Sequence, residues 1–266
     1  IAQFGWRETL VFMGIAAFIF GLPLSLLMRH KPQPYGYLPD GDTYEPANLE
    51  KIDPSKRIKE QPSNSLSTGF STKEVLKSRA FWMLSAAFFF QQASTSAVFV
   101  HIVPYLESVQ LSPTLAAGAV TGMTLGSLIG RVGFGFLGDF TNKRYLIAIA
   151  LTLQTIGVFI FSFVSAEQSW LLILFLLIYS PGYGGTIPVR PALQADYFGT
   201  KNFGTIMGLM AAVSMVGGLA SPIIAGWLFD VTGSYRFAWR LFTLITLPSI
   251  PLIALAKPPK PKVQSS

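Results

Sequence analysis

The chain has 266 residues, of which 51% are hydrophobic and 12% charged, with a formal net charge of +7. A soluble domain carries roughly a quarter of its residues as charged side chains, so an ordinary water-soluble fold is excluded. Cysteine is absent, which removes disulfides and thiolate metal sites, and His30 and His101 do not form a ligand-spaced pair.

The apolar residues gather into seven runs, at 8–28, 81–105, 115–137, 145–165, 170–190, 203–229 and 237–256. Each is about 20 residues long, the length a helix needs to cross roughly 30 Å of hydrocarbon. Lipid cannot satisfy backbone hydrogen bonds, so the runs predict an all-α polytopic membrane bundle of seven transmembrane helices. After the first run, residues 29–79 mix both charge signs with proline and serine and read as a flexible connector. Its last part, 71–79, predicts a short amphipathic helix capped by Ser71 or Thr72.

In the second run Gln91, Ser94, His101 and Tyr105 share one helical face, with Thr95 beside it. The third run carries a glycine ladder, Gly118, Gly122, Gly126 and Gly130, which allows a neighbouring helix close approach. About 100° away from it, a polar stripe of Thr124, Ser127 and Arg131 climbs the same helix. The fourth and seventh runs are more uniformly apolar, as lipid-facing supports would be. The fifth aligns Tyr179, Tyr183, Thr186 and Arg190, and the segment from Pro181 to Pro188 is expected to interrupt it. Arg190, close to Asp196, reads as interfacial. The sixth aligns Met210, Ser214, Gly217 and Ser221, with a break at Pro222. Such stripes serve either a solute or interhelical hydrogen bonds.

Lysine and arginine concentrate in alternate loops. Residues 29–79, the turn from Asp139 to Arg144, Lys201 and the tail from Lys257 hold most of them, and the opposite side has Arg7, Arg236 and Arg240. The positive-inside rule makes the rich side cytoplasmic, with the N-terminus outside and the C-terminus inside. Trp6, Trp82, Tyr105, Tyr145, Trp170 and Trp239 stand near run ends, as interfacial belts do. One helix, a long polar loop and six helices joined by short turns suggest a piece of a longer protein built from two six-helix halves.

The third run ends in Gly130-Arg-Val-Gly-Phe-Gly-Phe-Leu-Gly-Asp-Phe-Thr-Asn-Lys-Arg144. This resembles the cytoplasmic signature of the major facilitator superfamily at Gly135, Asp139, Lys143 and Arg144. It departs from the usual form at Phe140, where a basic residue is common, and at Asn142, where glycine is common. The stretch from Arg29 to Asp42, the Ala195-Asp-Tyr-Phe-Gly199 segment and the small-residue run to Ser234 are similar to bacterial members near the oxalate/formate antiporter and monocarboxylate transporter families. The resemblance implies that the first run is helix six and residues 80–256 are the C-terminal six-helix half, with a cytoplasmic tail at 257–266. It further implies a secondary transporter of the plasma (bacterial inner) membrane that moves a small solute by rocker-switch alternating access.

An arginine in this helix contacts the substrate carboxylate in the oxalate/formate-like transporters, and Arg131 is similar in position. The solute-binding candidates are therefore Arg131, Ser127, Thr124, Gln91, Ser94, Tyr179, Tyr183 and Ser214. Gly135, Asp139, Lys143 and Arg144 are the gating candidates, with Asp139 expected to latch onto the helix start near Phe203. The sixth run lacks the lysine that would pair a second carboxylate, which favours a monocarboxylate. The other reading of Arg131 is a side chain snorkelling to the headgroups. The expected partners are the solute, the bilayer and the other half of the same protein, with no cofactor.

A seven-helix receptor or retinal protein fits the helix count, but the last run has no lysine for a Schiff base. No paired acids or Ser-His set points to an enzyme, and no phosphate-binding glycine loop ending in lysine points to an ATP-driven pump. The basic residues follow the loops, which argues against nucleic acid as a partner. The orientation is tested by single cysteines and an impermeant thiol reagent on intact cells. Asn64→Cys is expected to be protected and Gln168→Cys labelled, and the opposite pattern would invert the topology.

Overall fold

The computed structural model describes residues 5–27 and 69–259. The connector, apart from its last residues, and the end of the tail lie outside them. The chain divides into two units, 1–61 and 62–266. In the first, α1 (Gly5–Leu27) is an apolar helix of 23 residues with Pro23 inside it, about 35 Å long by the helical rise.

The second unit contains α2 (Thr72–Lys77), α3 (Arg79–Ser108), α4 (Pro113–Phe140), α5 (Lys143–Phe161), α6 (Trp170–Phe198), α7 (Phe203–Thr232), α8 (Tyr235–Thr246) and α9 (Ser249–Leu255). Among the described residues there are 7 spans long and apolar enough to cross a membrane, α8 and α9 together forming the last. No β-strand occurs among them, only an isolated bridge between Gly69 and Gly199. Ser71 caps α2 through a reciprocal box with Glu74, each bonding the other's backbone N–H. Asn202 Nδ2 donates to the Phe70 carbonyl at 3.1 Å, tying the approach to α2 to the start of α7.

Three seams of small residues organise the bundle. Along α4 and α6 the contacts advance together, from Gly122 against Leu176 and Gly126 against Ser180 to Gly130 against Pro181. Farther along, Gly184 lies against the Ser127 backbone and Gly185 against the Phe134 ring. The two helices are thus parallel and nearly backbone to backbone. A second seam joins α3 to α7, where a Cβ on Gly217 would come within 2.6 Å of the Phe89 carbonyl oxygen. The third joins α5 to α6 through Gly157 at Tyr179 and Gly182 at Ala150. Three of the four ladder glycines meet α6, while Gly118 has nothing within 4 Å.

Three expectations are corrected. Neither the fifth nor the sixth run is interrupted: α6 continues from Trp170 to Phe198 with Pro181, Pro188 and Pro191 inside it, and α7 from Phe203 to Thr232 with Pro222 inside it. Each proline removes one backbone bond, and the close packing of Gly182, Gly184 and Gly185 holds α6 on course. The fourth run is not a lipid-facing support, because more than half of the apolar stretch of α5 is buried, and Gln154 and Thr155 are buried as well. Tyr105 and Trp239 are not interfacial. Both are fully buried in an aromatic cluster with Phe161, Phe175 and Tyr235, where the Tyr105 hydroxyl donates to the Phe161 and Val164 carbonyls, each at 2.9 Å. Trp82, Tyr145 and Trp170 remain exposed near helix ends.

The seam makes a measurable demand. A Cβ at Gly184 would overlap the Ser127 backbone, which cannot yield as a flexible side chain can. Gly184→Ala is expected to destabilise the bundle by roughly 1–3 kcal/mol, read as a lower thermal midpoint in detergent. Gly118→Ala serves as the control and is expected to leave the midpoint unchanged.

Candidate functional site

The sequence candidates separate into three environments. The first is a buried polar knot between α3, α5 and α6. Gln91 Nε2 donates to Thr186 Oγ1 at 3.0 Å and reaches Gln154 Oε1 at 3.4 Å. Gln154 Nε2 in turn donates to the Gly182 carbonyl at 3.2 Å. Thr186 Oγ1 donates to the Tyr183 carbonyl at 2.8 Å. Gln91, Ser94 and Tyr179 are all buried, Tyr179 completely. Tyr179 stacks on Phe175 with ring centroids 5.0 Å apart. These candidates lie buried within the bundle, where Gly157 and Gly182 bring α5 and α6 close together. Gln154, from a run read as uniformly apolar, was missed as the centre of the knot.

The second environment is the exposed side of α4. Arg131 and Thr124 are both exposed, and Thr124 Oγ1 donates to the Val120 carbonyl at 2.9 Å. Ser127 differs: it is 1% exposed, and its backbone touches Gly184. The expected stripe therefore straddles the α4–α6 seam, with Ser127 on the packing side and Thr124 and Arg131 on the open side. Arg131 lies nine residues before Phe140 at the end of α4, about 13 Å by the helical rise. No carboxylate among the described residues pairs with it. Tyr183 is half-buried, with its ring 5.1 Å from that of Phe99.

The third lies where α3, α6 and α7 converge. Arg190 Nη2 donates to Ser214 Oγ at 3.0 Å, and the guanidinium carbon sits 4.1 Å from the centre of the Phe88 ring. Ser214 is buried and donates back to the Met210 and Ala211 carbonyls. Arg190 was expected to be interfacial beside Asp196. Asp196 instead pairs with Lys143 at 2.8 Å, and Arg190 turns toward α7, eight residues before the end of α6. Arginine in an apolar run was the available signal, but its partner comes from a helix distant in sequence.

The gating candidates form a different set of ties from those expected. Lys143 joins the start of α5 to the end of α6 through Asp196. Arg144 Nη1 donates to the Ala256 carbonyl at 3.0 Å, and the Tyr197 hydroxyl donates to the same oxygen at 2.7 Å. Gly135 approaches Pro188, with 3.8 Å to a built Cβ. Asp139 is exposed, and no hydrogen bond or ion pair joins it to the start of α7 among the described residues. The latch onto Phe203 is thus not formed among the described residues. The reason is topological, since α4 packs on α6 while α7 packs on α3.

Near the opposite end, His101 joins three helices. Its Nε2 lies 2.9 Å from the Pro222 carbonyl and its Nδ1 lies 3.1 Å from the Tyr235 hydroxyl. A carbonyl only accepts, so Nε2 carries a proton in this contact. No cluster of metal-ligating side chains occurs among the described residues.

Known proteins share this architecture. Monocarboxylate transporter 12 of Xenopus laevis is 30% identical over 268 residues, covering 97% of this chain and 56% of that protein. Monocarboxylate transporter 12 of Rattus norvegicus is 28% identical over 279 residues, covering 97% of this chain and 54% of the relative. The chain thus spans a little over half the length of these relatives. The crystal structure of the E. coli fucose:proton symporter superposes with a TM-score of 0.58 at 15% identity, covering 70% of this chain and 44% of the symporter. Residues 87–266 match the family model of the Major Facilitator Superfamily. A match over that much of the chain, on a bundle of membrane-length helices with a matching solved fold, places the protein in the major facilitator superfamily.

Proposed function

We propose that this chain is the C-terminal half, with helix six, of a secondary active transporter that moves a small monocarboxylate or related organic anion by rocker-switch alternating access. The observation that carries the reading is Arg131, an exposed cation deep along a membrane helix with no carboxylate partner among the described residues. Charge at the centre of a bilayer costs at least roughly 2.5 kcal/mol unless it is hydrated or paired. An anionic solute in an aqueous cavity supplies both conditions. The names of the relatives, monocarboxylate transporters, agree with that chemistry.

In this reading a second six-helix half completes the cavity, and the exposed Asp139 is free to meet it. The membrane is the plasma membrane, with the connector and the C-terminus cytoplasmic. Thr124 and Tyr183 join Arg131 as solute contacts. Gln91, Ser94, Tyr179 and Ser127 act one layer behind, holding the helices that carry those contacts. Coupling through a carboxylate buried in a membrane helix would have to use the other half, because Asp and Glu are absent from the middle of all seven runs.

In the full-length protein, Arg131→Ala is expected to weaken binding of lactate or pyruvate by on the order of tenfold or more, the loss of a charge-assisted hydrogen-bonded pair, while insertion is retained. Arg131→Lys recovers only part of the affinity, because a point charge lacks the bidentate fork that fits a carboxylate. A snorkelling arginine predicts the reverse, with lysine substituting fully and affinity unchanged. Wild-type affinity in Arg131→Ala, measured across a panel of monocarboxylates, overturns the carboxylate reading.

A further inference from the structure

We infer that the cavity around Arg190 is a second carboxylate-binding site, distinct from the one proposed at Arg131. The inference rests on the carboxylate reading of the solute but not on Arg131 itself. The cavity has a volume of about 340 Å³ and is lined by Gln92 of α3, by Ile187, Arg190, Pro191 and Gln194 of α6, and by residues of α7 that include Met207 and Ser214. That volume lies within the range of small-molecule sites. Arg131 is not among the lining residues.

The guanidinium is held rather than neutralised. Ser214 accepts from one terminal nitrogen, and the face of Phe88 lies against the plane. These contacts fix its orientation, and no carboxylate among the described residues answers its charge. Arginine presents five N–H donors in a rigid fork, and Ser214 takes one of them. Its other N–H groups remain for an acceptor. Gln92 adds a half-buried side-chain amide to the same wall, while Ile187 and Met207 supply apolar surface for a short hydrocarbon tail. An ordered cation beside an amide donor and a small apolar wall matches a short-chain carboxylate. It matches a bare inorganic anion less well, since that has no use for the apolar side.

Arg190 stands apart from Arg131. The α4–α6 seam sets Gly130 against Pro181 and Gly138 against Val189, so Arg190 lies farther along the bundle, level with the end of α4, and in the α6–α7 gap rather than on the exposed side of α4.

The test uses the full-length protein reconstituted in liposomes, whose described half has no cysteine. Met207→Cys is introduced in a background otherwise lacking reactive thiols and modified by an anionic methanethiosulfonate reagent. Lactate is expected to slow the modification, and Arg190→Ala in the same background is expected to raise the protecting lactate concentration on the order of tenfold. Protection is expected to survive Arg131→Ala, even where that variant no longer transports. Met215→Cys, on the same wall, repeats the measurement should Met207→Cys disturb folding. Protection that is unaffected by Arg190→Ala overturns the inference, as does protection lost with Arg131→Ala, which leaves the single-site reading intact. Protection by chloride or inorganic phosphate but not by lactate also overturns it. Lactate protection in a protein that transports no monocarboxylate would instead sustain this site and defeat the transport reading.

Discussion

In a hydrocarbon solvent, burying leucine against leucine gains little over leaving it in lipid, so helices associate through van der Waals contact and hydrogen bonds. The α4–α6 seam meets that condition by letting backbones touch. Gly130 admits Pro181, and Gly184 admits the backbone of Ser127. Because α4 and α6 are locked in parallel register, Arg131 is held on one side of the seam and Ser127 on the other. Because Gly157 and Gly182 bring α5 onto the same helix, Gln154 can reach both Gln91 and the Gly182 carbonyl.

The polar residues consequently divide by depth within the bundle. Those in the knot of Gln91, Thr95, Gln154 and Thr186 are bonded across α3, α5 and α6, while Gln91 Oε1 is buried without a partner among the described residues. Those on the margins, Arg131 and Arg190, keep donors unanswered by any carboxylate among the described residues.

The ends of the bundle are tied by contacts between elements remote in sequence. Lys143 and Asp196 join α5 to α6, while Arg144 and Tyr197 converge on the carbonyl of Ala256 after α9. At the other end His101 links α3 to α7 and α8. The basic pair in the signature turn therefore ties the bundle to itself, whereas Asp139 stays exposed.

The sequence by itself determined the membrane class, the helices and much of the α4 surface. A run of twenty apolar residues has one stable form in lipid, and a glycine every fourth position has one obvious use. The exposed cation at Arg131 followed from the same local physics. What only the tertiary structure decided is which polar side chains face inward. Gln91, Ser94 and Tyr179 have the same helical spacing as a solute-facing stripe, and spacing cannot say which neighbour covers them. Gln154 was hidden in an apolar run because its partners lie on α3 and α6. Arg190 looked interfacial because Asp196 is six residues away along the helix. Lys143 holds Asp196 instead, and the charge of Arg190 is turned into the gap beside α7. The prolines of α6 read as breaks, yet a helix clasped on two sides by glycine seams keeps its course. Each of these outcomes depends on contacts between helices far apart in the chain, and helical periodicity carries no information about them.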